Sequence, residues 1–325
     1  KKLIVKKYIS DDDIKKLKGE WIDESYMKYP LINSNVDVYY LDEKNNEKLL
    51  LKFRKNVFTQ SEIHLGWKSY KDLAKPSRGR GASAGPINKE NKYWQQRTLV
   101  NTKKWATNYL KKDGTPSTMQ VNNQVLSNPV GYFEAGNKIF NLPCRLTHFT
   151  KMNYEKYQEG LPFIQKIDKL YQKLVPDCYK KQYERANIKK NYTIPETCFS
   201  TITINRNFRT ALHKDGGDYK EGFGNLVVIE RGLYHGGYTI LPQFGVAVDV
   251  RSGDFLAMDV HQYHANTKIY ETDEDKKHNQ KLEKVFFDNP NIGTEGIYTD
   301  YTRLTFVCYL REKMINCSEN IQENI

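Results

Sequence analysis

Residues 199–215 read FSTITINRNFRTALHKD and end on His213-Lys214-Asp215. On an extended strand, side chains two apart share a face, so His213 and Asp215 aim at one point. Downstream come Gly236-Gly237-Tyr238, Gly253-Asp254 and then His261-Gln262-Tyr263-His264. A later histidine on a neighbouring strand, 261 or 264, completes a set of two imidazoles and one carboxylate. That donor set suits Fe(II) and leaves three coordination positions open on one side of the ion. With seven histidines in the chain, a lone His-x-Asp pair is weak evidence. Its place at the end of a strand, the order of the later histidines and Arg303 on a final strand strengthen it. In Thr302-Arg303-Leu304-Thr305-Phe306-Val307, Arg303 offers a fork that pairs bidentately with a carboxylate.

Working outward, the composition from Cys198 onward turns to Thr, Ile, Val, Phe and Tyr in short runs bounded by Gly, Asn and Asp. The runs predict strands at 199–205, 208–214, 225–230, 237–241, 246–251, 253–259, 263–269 and 302–310. Strands of this number and length predict a double-sheet jelly roll. Upstream, apolar positions at helical spacing over 151–173 and a second segment at 177–188 predict helices that cover a sheet. Pro162 breaks or starts a helix there. The fold class is therefore α+β, a double-stranded β-helix (jelly-roll) core with flanking helices and an N-terminal extension. In that extension, residues 1–74, Asp11-Asp12-Asp13 opens a helix, 36–54 form a hairpin, and 60–74 are helical. The extension is expected to pack on a main domain spanning 75–325. Polar residues at about 271–299 are expected to form an inserted loop or lid.

Bulk properties set limits. The 325 residues are 38% hydrophobic, with 23 Tyr and 14 Phe, enough to build a core. The formal net charge of +12 reflects either a lysine-rich composition bias or affinity for nucleic-acid phosphates. The small cationic stretch Lys75-Pro76-Ser77-Arg78-Gly79-Arg80-Gly81-Ala82-Ser83-Ala84-Gly85-Pro86 reads as a solvated linker, or as a loop that meets phosphate or a flipped base through Arg78 and Arg80. Five cysteines, none in a Cys-x-x-Cys pair, argue against a structural zinc site. Their odd number and wide spacing predict reduced thiols and an intracellular setting, nuclear or cytoplasmic. No apolar run approaches a membrane span, so no membrane partner is expected.

The stretch from 75 to 310 resembles the Fe(II)/2-oxoglutarate dioxygenases, and within them the TET/JBP-type nucleobase oxygenases. The matching pieces are Arg78-Gly79-Arg80-Gly81-Ala82-Ser83-Ala84-Gly85, Thr203-Ile204-Asn205 with Thr210 before His213-Lys214-Asp215, Gly236-Gly237-Tyr238-Thr239-Ile240-Leu241-Pro242, Gly253-Asp254, His261 through Thr267, and Arg303. The resemblance implies His213, Asp215 and His264 as iron ligands, with His261 as the rival for the third place. It implies Arg303 on the distal carboxylate of 2-oxoglutarate, with Thr305 adding a hydroxyl, or another small acid such as ascorbate in its place. The gap from His264 to Arg303 is longer than the family shows. Candidate base-pocket groups are Asn205, Asn207, Thr210 and Ser83, with Arg78 and Arg80 near phosphate; turn and strand-end capping is the competing reading of Asn205 and Asn207. The implied activity is O2-dependent hydroxylation of the methyl of 5-methylcytosine or thymine in DNA. The alternatives are a prolyl- or lysyl-type protein hydroxylase with the same iron site, and a non-catalytic nucleic-acid-binding jelly roll.

Overall fold

The computed structural model describes residues 1–136, 143–285, 287 and 301–318. The strands that build its two main sheets include β1 (Lys2–Val5), β2 (Val36–Leu41), β3 (Glu47–Arg54), β4 (Val125–Phe133), β5 (Thr201–Arg206), β6 (Gly224–Arg231), β7 (Thr239–Leu241), β8 (Val246–Val248), β9 (Phe255–Met258), β10 (Ala265–Asn266) and β11 (Thr302–Tyr309). A ten-stranded sheet runs β1-β2-β3-β9-β6-β11-β5-β4 and ends on the short strand Pro76–Ser77, with the tenth strand, Arg145–Leu146, pairing with β4 off this path. A smaller sheet, β8-β7-β10, lies across from it. Together they make the jelly roll.

Alternation in β5 and β11 divides the large sheet into two faces. Ile202 and Ile204 of β5, with Leu304, Phe306 and Cys308 of β11, join a core with the helices α2 (Gln60–Tyr70), α3 (Leu161–Leu174) and α4 (Pro176–Asn187). Thr203 and Asn205 of β5, with Arg303, Thr305, Val307 and Tyr309 of β11, face a cavity between the two sheets. The pairing register sets Thr305 beside Asn205 and Val307 beside Thr203. In α3, Phe163, Ile164, Ile167 and Tyr171 recur at helical spacing and are all buried. Full burial of each such side chain contributes about 1.5–3 kcal/mol. Pro162 stands in the first turn of α3, where its missing N–H costs nothing.

The N-terminal extension continues the sheet. β3 pairs with β9 from Phe255 opposite Arg54 to Met258 opposite Leu51, and shares with β7 and β8 a second apolar core. The helix expected at Asp11 spans Asp11–Lys16, with Ser10 accepting from the Asp13 N–H. Its Ile14 joins Leu212, Ile240, Tyr263 and Ala265 in a third cluster. That cluster flanks both His213 and His264 with buried apolar neighbours.

Three expectations need correction. Residues 208–214 form no strand. Asn207 takes φ +46° and turns the chain out of the sheet, and the segment is held by the Ala211 N–H on the Ser83 carbonyl and the Leu212 N–H on the Glu20 carbonyl. Within 271–299, Asp273–Asn279 is a helix closed by a Thr272–Asp275 capping box. The rest of the expected lid falls largely outside the described residues. The five thiols are not all reduced. Cys144 and Cys317 form a disulfide, while Cys178, Cys198 and Cys308 are free. Burial pushes the Cys198 and Cys308 thiols well up, which suits inert core residues. No helix among the described residues is long and apolar enough to cross a membrane.

Candidate metal centre and its cavity

His213 and His264 sit opposite each other as an antiparallel bridge, each N–H donating to the other's carbonyl at 3.0 Å. This pairing, between a loop and the approach to β10, brings the imidazole centroids to 4.4 Å. Asp215 lies two residues on, its Oδ1 3.3 Å from His213 Nε2 and 3.8 Å from His264 Nε2. One donor atom from each of the three falls within 4.8 Å of the others.

The ring orientations suit metal binding. The Ala211 carbonyl accepts from His213 Nδ1 at 2.7 Å, and the Gln262 carbonyl accepts from His264 Nδ1 at 2.8 Å. With the proton held on Nδ1, both Nε2 lone pairs face Asp215. Burial lowers the His264 imidazole to about 4, with His213 as the second cause, so it is neutral at physiological pH. Burial alone raises the Asp215 carboxyl, but His264, His213 and Arg80 outweigh it and hold it at about 2. A neutral His264 and an ionised Asp215 are the protonation states that a divalent ion requires of such ligands. His261 is engaged elsewhere, its Nδ1 3.1 Å from Asp259 Oδ1 and its Nε2 3.2 Å from the Asp218 carbonyl. It is absent from the metal cluster.

The three donors line one wall of a cavity of about 280 Å³. Arg303, only 3% exposed, enters it from β11, and its Nη2 is buried with no hydrogen-bond partner among the described residues. An unpaired guanidinium N–H in such a place is costly, and the carboxylate of a small acid satisfies it. Thr305 lies one residue pair further along the same face. The backbone opposite must be thin: Gly237 has φ +70°, and a Cβ there would lie 3.3 Å from Arg303 Nε. Despite the long gap in sequence between them, Arg303 and His264 line the same cavity.

The other expected residues divide. Asn205 reaches the cavity with its Oδ1 buried and unpartnered. Thr210 lines it while donating to Asn266 Oδ1 at 2.8 Å, and Ser83 lines it while donating to the Arg80 carbonyl at 2.7 Å. Asn207 does not line it; its Oδ1 accepts from the Arg303 N–H at 2.7 Å and its Nδ2 donates to the Tyr301 carbonyl, a capping role. Arg80, expected at phosphate, turns inward into the iron-site cavity because the chain tightens into a short helical turn at Gly81–Ala84. Arg78 stays outside, its guanidinium 3.4 Å from the Tyr93 ring centroid.

Sequence reasoning missed Asp218, Tyr309 and Arg311, which line the same cavity. Asp218 Oδ2 is buried with no hydrogen-bond partner among the described residues, and burial, then the charge of Asp215, raises its carboxyl well above the usual range. Arg311 is ion-paired with Glu134. The signal available for Asp218 was an acid three residues after Asp215, across Gly216-Gly217.

The family model for the oxygenase domain of the 2OGFeDO superfamily, in its Tet_JBP form, matches residues 128–312, more than half of the chain and all three candidate ligands. The chain belongs to this family. It is therefore an Fe(II)- and 2-oxoglutarate-dependent oxygenase domain. Over 145 residues the oxygenase is 37% identical to the bifunctional helicase and thymine dioxygenase JBP2 of Trypanosoma cruzi, covering 44% of this chain and 13% of that protein. Over 173 residues it is 32% identical to thymine dioxygenase JBP1 of Trypanosoma brucei brucei, covering 53% of this chain and 20% of that one. The chain thus spans a small part of these curated relatives. A solved structure of NgTET1 in complex with 5mC DNA superposes over 97% of both chains with a TM-score of 0.50 at 13% identity, a likeness of fold.

Proposed function

We propose that this oxygenase hydroxylates the methyl group of a pyrimidine base in DNA, 5-methylcytosine or thymine. The observation that carries the proposal is the coincidence, in one cavity, of the His213–Asp215–His264 set with Arg303 Nη2 and Asn205 Oδ1, both buried and without a hydrogen-bond partner among the described residues. Bound Fe(II) with 2-oxoglutarate and O2 supplies the oxidising power for C–H hydroxylation, the acid leaving as succinate and carbon dioxide. His213, Asp215 and His264 would hold the ion. Arg303 and Thr305 receive the distal carboxylate of the co-substrate. Ascorbate has no carboxylate to meet that fork, which supports 2-oxoglutarate as the acid bound there.

A base methyl must leave the helical stack to reach the ion, at a cost of about a few kcal/mol. Asn205 Oδ1 accepts from the amine of a cytosine or the ring N–H of a thymine, so both bases fit its polarity. Ser83 and Thr210 stand in the same wall. Naming of the relatives as thymine dioxygenases supports the thymine reading, and the net charge of +12 suits a polyanionic substrate. The test is to incubate the protein with Fe(II), 2-oxoglutarate and methylated or unmethylated duplex, digest to nucleosides and weigh them. A gain of one oxygen on a 5-methyl pyrimidine supports the proposal. Unchanged nucleosides alongside turnover on peptides overturn it.

A further inference from the structure

Next to the iron-site cavity lies a second, wider one of about 650 Å³, and Phe208 stands in the wall of both. The second wall holds Arg78, Arg206 and Arg209 and no carboxylate. Arg206, the last residue of β5, is 1% exposed, yet its Nε and Nη2 have no hydrogen-bond partner among the described residues. Its guanidinium lies 3.8 Å from the Phe287 ring centroid. Arg209 repeats the pattern: its Nε is buried and unpartnered, its Nη2 donates to the Ile22 carbonyl at 3.3 Å, and its guanidinium lies 4.7 Å from the Trp21 ring centroid. The charges of Asp72 and Asp23 reach Arg206 and Arg209 respectively, but neither acid lines the cavity. Burial lowers both guanidinium groups, Arg206 to about 10, the mark of cations desolvated without full compensation.

Buried cationic N–H groups left unmet are rare in folded proteins because each has lost its water without gaining a partner. Arg206 is sealed beneath the wall, but Arg78 and Arg209 are half-buried and make the wall of this cavity cationic, so an anion docked in it meets their charge. We propose that the second cavity takes a backbone phosphate of the DNA strand, beside the nucleotide turned into the first cavity, with Arg209 as its partner. This rests on the proposed DNA substrate and adds where its backbone lies. Phe208 then separates the phosphate from the turned-out base.

The test uses fluorescence anisotropy of a labelled methylated duplex with the full chain. Arg209 is the position to change, since it is only half-buried. Arg209→Gln should weaken binding about tenfold at moderate salt and make the salt dependence shallower by about one ion, equally on methylated and unmethylated duplex. Arg209→Lys should recover most of the loss. Lys169→Gln, the same charge change on exposed α3, should leave both readings unaltered. Inorganic phosphate should compete only weakly. A parent protein that binds and oxidises the duplex, with Arg209→Gln matching it in affinity and slope, overturns this cavity's role and leaves the DNA reading standing. Equal losses in Arg209→Gln and Lys169→Gln also overturn it, as does competition by inorganic phosphate that matches the duplex per phosphate. A parent that binds no duplex overturns both readings.

Discussion

Replacing Arg303 by Gln separates a buried polar residue from a co-substrate anchor. Arg303 is 3% exposed, and its side chain faces the iron-site cavity with Nη2 unpartnered. Its main-chain role, the N–H donated to Asn207 Oδ1 at 2.7 Å, survives any side-chain change. Removing one partner of a buried ion pair costs about 3–5 kcal/mol, because the other charge is stranded. At about 1.4 kcal/mol per decade, KM for 2-oxoglutarate should rise by roughly two to four decades. Arg303→Lys keeps the charge but loses the fork, and should fall between parent and Gln. Stability should hold or improve in the absence of 2-oxoglutarate, since an unmet guanidinium has been removed. The assay is the rate of succinate formation against 2-oxoglutarate concentration, with thermal unfolding of each variant alongside. An Arg303→Gln protein that folds and keeps its KM within about threefold refutes the assignment, because that ratio is worth less than 1 kcal/mol.

Further outcomes follow from the same geometry. His213→Ala, Asp215→Ala and His264→Ala should each reduce succinate formation by about a thousandfold or more while the protein stays folded, and His261→Gln should keep most of it; the reverse ranking of His261 and His264 rejects the ligand set. Gly236→Ala should lower stability by about 3 kcal/mol or more, read by denaturant unfolding. The reason is that a Cβ there, at φ +76°, would run into the Lys268 carbonyl oxygen. Burial alone raises Glu134, but hydrogen bonding and charge from Arg311 outweigh it and leave the carboxyl below its usual 4.5. A depressed carboxyl lends stability that is fully present above 4.5 and lost as pH falls through its native value. Glu134→Gln should therefore cost about 2 kcal/mol at neutral pH, reduced from the fully buried figure by partial exposure, and flatten the acid limb of the unfolding curve.

Where sequence reading succeeded, the signal was local. His213 and Asp215 are two apart, the alternation of Thr302 to Tyr309 separates cavity from core, and Asp11 to Asp13 mark a helix start. The last two patterns follow from strand and helix periods alone; His213 and Asp215 come together in a loop, where His213 is bridged to His264. The failures are of another kind. Arg80 turns inward because of the tight turn at Gly81–Ala84, which a flexible-looking cationic stretch conceals. The predicted strand at 208–214 is cancelled by the left-handed Asn207, whose side chain is bound to a backbone N–H 96 residues away. The Cys144–Cys317 disulfide joins residues 173 apart, and Glu134 meets Arg311 across 177. Charge counts and spacing say nothing about contacts made only when distant strands pair. The N-terminal hairpin was legible as a hairpin, but its pairing with β9 was not, because edge pairing depends on which strand is left open.

The most direct measurement is the number of Fe(II) ions held at equilibrium, per chain, under anaerobic conditions. The arrangement of His213, Asp215 and His264 predicts one ion for the parent protein, and loss of that ion in a folded Asp215→Ala variant. A parent that retains no iron, or an Asp215→Ala protein that binds it as tightly as the parent, contradicts the account.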